Sequence, residues 1–155
     1  MTQEERTVEM LMSKKVMAVE LNTNAKECAK AMVKRGVSCA VITQGGSAIG
    51  IVTERDLVSK ILAESIDAKN VLVRDIMSTP LITVAPDAPL TGAAELMARY
   101  RIRRLVVVDN DGALVGLITT GDIARSLAEK QGYREATLNA MARYSERGLE
   151  NGPYQ

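Results

Sequence analysis

The sequence predicts a mixed α/β (α+β) fold built from two β-α-β-β-α units stacked through their sheets. Three observations predict it. The chain repeats itself at an offset of about 65 residues. Both copies run through the same order of apolar segments and turns. Each copy carries the segment G-φ-φ-T-x-x-D (φ aliphatic) at the end of its third strand. A shared period this long marks a duplicated supersecondary unit.

The elements follow in order. Met12-Ser13 aligns with Met77-Ser78 as a lead-in to each copy. The first strands are expected at 16–19 and 81–84. A helix follows each, over 25–33 and from Leu90 onward; the second opens after Pro86-Asp87-Ala88-Pro89, where proline suits a first turn. Its apolar residues Leu90, Ala93, Ala94 and Met97 keep helical spacing. The β-branched runs 37–43 and 102–108 read as second strands. Gln44-Gly45-Gly46-Ser47 and Asp109-Asn110-Asp111-Gly112 read as hairpin turns. Third strands at 48–52 and 114–118 lead into closing helices at 54–64 and 121–129. One copy alone cannot cover both faces of a three-stranded sheet, so the two sheets are expected to stack over a shared core.

Composition excludes several functions. The 155 residues carry 20 basic and 19 acidic side chains, a net charge of +1. Such a balance offers no field for nucleic acid or an anionic membrane, and the near absence of aromatics argues against base stacking. No apolar run approaches a spanning length, and the polar start MTQEERTVEM is no secretory signal. A cytoplasmic protein is expected, with Cys28 and Cys39 reduced. There is no histidine, which removes the commonest general base and metal ligand. No Walker-type loop appears, and no metal site is expected. The reading is therefore not an enzyme.

The repeated segments Gly50-Ile51-Val52-Thr53-Glu54-Arg55-Asp56 and Gly116-Leu117-Ile118-Thr119-Thr120-Gly121-Asp122 carry the chemistry. Each places Thr where a strand ends and a helix begins, with an acid three residues on. That is the pattern of a capping box. It is also a geometry in which Thr meets a phosphate at a helix N-terminus and Asp accepts from ribose hydroxyls.

The doubled unit, the Met-Ser lead-ins and the two G-φ-φ-T-x-x-D segments together resemble a tandem pair of cystathionine-β-synthase (CBS) domains, a Bateman module. The resemblance covers repeats at 8–64 and 73–129, joined by a linker at 65–72. It implies a pseudo-twofold pair with two clefts between the copies, a homodimer, and AMP, ADP or ATP as regulatory ligand, with Mg²⁺ beside a triphosphate. It assigns Thr53, Asp56, Leu81, Ile82, Arg103 and Arg104 to one cleft. Thr119, Asp122, Val16, Met17, Ser38 and Cys39 go to the other. Arg103 and Arg104 add charge to the first cleft; Gly121 stands where the first copy has Arg55, so a phosphate contact is missing there. The expected function is a stand-alone sensor that signals to a regulated protein not named by the sequence. The alternatives are a dimeric scaffold without nucleotide and an S-adenosylmethionine-binding pair. Residues 130–155 are expected to form a further helix and a frayed tail. The segment 8–12 is expected to be a short amphipathic helix packed across a dimer or the sheets.

Overall fold

The computed structural model describes residues 5–130; the expected C-terminal helix and tail lie almost wholly outside that range. The first repeat contains β1 (Ala18–Glu20), α2 (Ala25–Arg35), β2 (Cys39–Gln44), β3 (Ser47–Thr53) and α3 (Glu54–Leu57), and α3 continues as a π-helical turn over Val58–Leu62. The second contains β4 (Thr83–Val84), α5 (Leu90–Tyr100), β5 (Arg104–Val108), β6 (Leu114–Thr119) and α6 (Thr120–Lys130). Short lead-in helices α1 (Val8–Leu11) and α4 (Val73–Ile76) precede them. The two three-stranded sheets have orders β1-β2-β3 and β4-β5-β6. In each, the first pair is parallel and the second antiparallel.

Local chemistry explains the boundaries. Asn24 caps α2 by accepting from Glu27 N at 2.9 Å, and Gly36 ends it in the left-handed region at φ 63°. Gly45 and Gly46, at φ 57° and 85°, supply the positive dihedrals that a two-residue hairpin requires. In the second hairpin Asp109 Oδ1 accepts from Asp111 N and Ala113 N, accommodating the extra residue. The edge strands start later than the sequence predicts. Residues 16–17 and 81–82 run up to the sheet but join the ladder only from Ala18 and Thr83 onward.

One expectation is corrected. The main buried clusters are two, one per sheet, rather than one shared core. Ala40, Ile42 and Val52 pack with Cys28 and Met32 of α2. Leu105, Val107 and Ile118 pack with Ala93 and Met97 of α5. Strand alternation explains this: every second residue faces the sheet's own helices. Val41 and Val106, on the opposite faces, are also fully buried. A further apolar layer therefore lies on the faces of the sheets away from their own helices.

The lead-in helices are exchanged between repeats. Val8 of α1 belongs to the second repeat's cluster, whereas Val73 and Ile76 of α4 belong to the first repeat's cluster. Backbone bridges follow the same crossing: Ser13 pairs with Leu117 and Ser78 with Ile51. Val8 N donates to Ala88 O at 2.9 Å, and Val73 N to Thr23 O at 2.8 Å. Each repeat thus completes its core with a segment that precedes the other. Burying a valine in this way stabilises by about 1.5–3 kcal/mol. The segment expected at 8–12 is a helix that packs on a sheet of its own chain.

Candidate functional site

Thr53 closes β3 and opens α3. Its Oγ1 donates to Asp56 Oδ2 at 3.1 Å and accepts from Asp56 N at 3.3 Å, and its own N donates to Asp56 Oδ2 at 2.8 Å. The capping box is complete. Asp56 Oδ1 faces Lys60 Nζ at 3.0 Å and accepts from Ser78 Oγ at 3.3 Å. Lys60 also donates to Ile76 O, at the end of α4. Both carboxylate oxygens are therefore engaged, and Asp56 is only 7% exposed. Thr119 and Asp122 repeat the box at 2.8, 3.0 and 3.3 Å. There the outer oxygen pairs with Arg125 at 3.1 Å.

In front of Thr53 lies a cavity of about 400 Å³ between the repeats. Its apolar wall comes from Ile51, Leu81, Ile82, Ile102 and Val106. Its polar wall comes from Ser38, Thr53, Glu54, Ser78 and four arginines: Arg55, Arg101, Arg103 and Arg104. Adjacent residues on a strand point opposite ways, yet Arg103 and Arg104 both reach this cavity. The reason is that β5 begins only at Arg104, leaving Arg103 in the bend before it. Arg104 Nη1 donates to Ser38 Oγ at 3.3 Å, tying the repeats across the cavity.

The structure thus gathers Thr53, Leu81, Ile82, Arg103 and Arg104, with Asp56 directly behind Thr53. The other predicted set is less gathered. Met17 is buried in the first core and Cys39 is buried in β2. Val16 is half-buried, and Ser38 lines the Thr53 cavity instead. Sequence reasoning missed Arg101, Ser78 and Pro80 as wall residues. Aligning the copies could have found Arg101, since it occupies the position of Gly36.

Among the described residues no His/Cys/Asp/Glu group could hold a metal ion, and no helix is long and apolar enough to cross a membrane. The two copies of one unit thus enclose an amphipathic cavity at a strand–helix junction. The chain belongs to the CBS domain family, whose profile matches residues 8–63 and 73–129.

Among curated relatives, an uncharacterized protein of Methanopyrus kandleri is 42% identical over 64% of this chain and 51% of its own length. The CBS domain-containing protein YhcV of Bacillus subtilis is 31% identical over 86% of this chain and 94% of its own. The chain thus spans about half of the first relative and nearly all of the second. Solved structures give the same fold. The CBS domain pair of protein MJ0100, in complex with 5′-methylthioadenosine and S-adenosyl-L-methionine, matches 81% of this chain and 98% of that one, with TM-score 0.73 and 29% identity. A CBS domain protein from Pyrobaculum aerophilum complexed with AMP matches 89% and 99%, with TM-score 0.71 and 27% identity. The cytosolic domain of the Mg²⁺ channel MgtE in complex with ATP matches 80% and 49%, with TM-score 0.68 and 25% identity.

Proposed function

We propose that this chain is a non-catalytic, cytoplasmic regulatory module that binds an adenine nucleotide in the Thr53 cavity and signals to a partner through the relative placement of its repeats. One observation carries the reading. The cavity combines apolar side chains fit for a base with cationic ones fit for phosphate, and both repeats line it: Ser38, Ile51, Thr53 and Arg55 from the first, Leu81, Ile82, Arg101, Arg103 and Arg104 from the second. A ligand spanning both favours one relative placement, which is the differential affinity a switch requires. The AMP, ATP and S-adenosylmethionine complexes of similar CBS proteins support the ligand class. The absence of histidine and the commitment of Asp56 to its cap support a binding role over catalysis. A homodimer fits the outer helix faces, which leave Val33, Leu62 and Leu127 exposed.

Thermal unfolding of wild type, Asp56→Ala and Asp122→Ala against AMP, ADP, ATP and S-adenosylmethionine tests this. Ligand at a thousand times its Kd stabilises by about 4 kcal/mol, roughly 8–16 °C in a domain of this size. The reading expects such a shift with an adenine nucleotide, reduced in Asp56→Ala. A shift with S-adenosylmethionine alone would replace the nucleotide by that ligand. No shift with any of them would leave a dimeric scaffold.

A further inference from the structure

The two repeats are nearly superimposable in sequence order, yet the charge at the Thr53 cavity has no counterpart. Its four arginines, Arg55, Arg101, Arg103 and Arg104, align with Gly121, Gly36, Ser38 and Cys39. Every one of the four is replaced by a small uncharged residue in the other copy. Among the described residues these arginines form no ion pair. The described ion pairs use Arg6, Lys30, Lys60, Lys69 and Arg125, and none of the four. One acid, Glu54, shares the cavity wall. Asp56 is spent on Lys60 and on its cap.

Four arginines lining one cavity put four positive charges around it, and an anion bound there relieves their mutual repulsion. Each guanidinium offers a planar fork that matches two phosphate oxygens. A single phosphate brings at most two negative charges to these four cations. A chain of phosphates brings a further negative charge with each unit. A magnesium ion on such a chain would take the same oxygens and cancel part of that charge. The lone Glu54 gives the metal little in return.

We infer that the Thr53 cavity is a polyphosphate site that takes a nucleoside triphosphate as the metal-free anion, and that Mg²⁺ competes with the protein for it. The inference rests on the nucleotide reading above for the base, but on the arginines alone for the phosphates. The positions equivalent to the four arginines in the other copy, Gly121, Gly36, Ser38 and Cys39, carry no charge.

Calorimetric titration of the full chain with AMP, ADP, ATP and inorganic tripolyphosphate, each in EDTA and in excess Mg²⁺, tests it. In EDTA the affinity should rise roughly tenfold with each phosphate added, since one charge-assisted bond more is worth about that factor. Excess Mg²⁺ should weaken ATP severalfold and leave AMP little changed. Arg103→Ser and Arg101→Gly, each importing the residue of the other repeat, should flatten the phosphate ladder while AMP affinity changes much less. Their circular dichroism and unfolding midpoints establish that they fold. Equal affinity for AMP and ATP, or ATP binding strengthened by Mg²⁺, overturns the polyphosphate inference and leaves the nucleotide reading standing. Tripolyphosphate binding with no gain from the adenosine overturns the nucleotide reading and keeps this one. Silence from all four ligands overturns both.

Discussion

Met77 fills the space that a side chain on Gly50 would need. A Cβ built on Gly50 stands 2.5 Å from Met77 Sδ and 3.2 Å from Met77 Cβ. The relation recurs between Gly116 and Met12, where a Cβ would also meet the backbone oxygen of Ser13 at 3.0 Å. The glycine that opens each G-φ-φ-T-x-x-D segment is thus fixed by the methionine of the exchanged lead-in. Gly50→Ala should cost about 1–3 kcal/mol through overpacking. Gly116→Ala should cost more, because a backbone oxygen cannot swing aside as a thioether does. Urea denaturation reads both values. In the cycle of Gly50→Ala with Met77→Ala, the double variant should be more stable than the sum of the singles by about 0.5–2 kcal/mol. Strict additivity would break the link between the two residues.

The exchange of lead-ins makes a directional prediction. Val8 is buried against the second sheet and Val73 against the first. Each change to alanine should cost about 2 kcal/mol, from lost transfer energy and the cavity left behind. The distinguishing measurement is amide hydrogen exchange. Val8→Ala should speed exchange in β5 and β6 more than in β2 and β3, although Val8 precedes the first repeat in sequence. Val73→Ala should do the reverse. The opposite pattern would show that each lead-in stabilises its own repeat.

The exchange also marks where the sequence stops being legible. The duplication, the element order and the strand–helix junctions at Thr53 and Thr119 follow from periodicity and turn residues, and all are local properties. The partner of Met12-Ser13 is a tertiary choice: both sheets offer a glycine, Gly50 or Gly116, that a methionine can cover. Likewise the resemblance puts both Arg103 and Arg104 in one cleft, but alternation along a strand spanning 102–108 would by itself send them to opposite faces. The shorter β5 places them together. Arg101 escaped notice because a helix C-cap ordinarily reads as glycine, as Gly36 does in the first repeat.

Cys28 is wholly buried on α2, and burial pushes its thiol above the ordinary value of 9.0. The folded protein therefore holds this proton more tightly than the unfolded chain. The associated stability is fully present below pH 9 and is lost as pH rises through the raised value. The urea midpoint of wild type should fall further between pH 8 and about pH 10 than that of Cys28→Ala, the comparison removing other alkaline titrations. Labelling by a thiol reagent should follow the same logic. The reagent needs thiolate and access, so Cys28 should react at the rate at which the fold opens. Fast labelling under native conditions would contradict the burial.

Arg101 ends α5 in the left-handed region at φ 53°, where Gly36 ends α2 at φ 63°. Its N–H caps Ala98 O and Met97 O, so the conformation is held by the helix end rather than by the side chain. A non-glycine residue there costs roughly 1–2 kcal/mol, and glycine gives back part of that relief through the greater freedom of the unfolded chain. Arg101→Gly should therefore stabilise the protein by about 0.5–1 kcal/mol while weakening triphosphate binding at the cavity Arg101 lines. Strain kept at a position where glycine would serve the fold better points to a role for the side chain. Unfolding in urea without ligand, set beside ATP titration in EDTA, reads the two effects separately. A variant that gained stability and bound ATP as wild type does would place Arg101 at the helix end for no ligand's benefit. One that lost both would mean that the arginine side chain itself holds the end of α5.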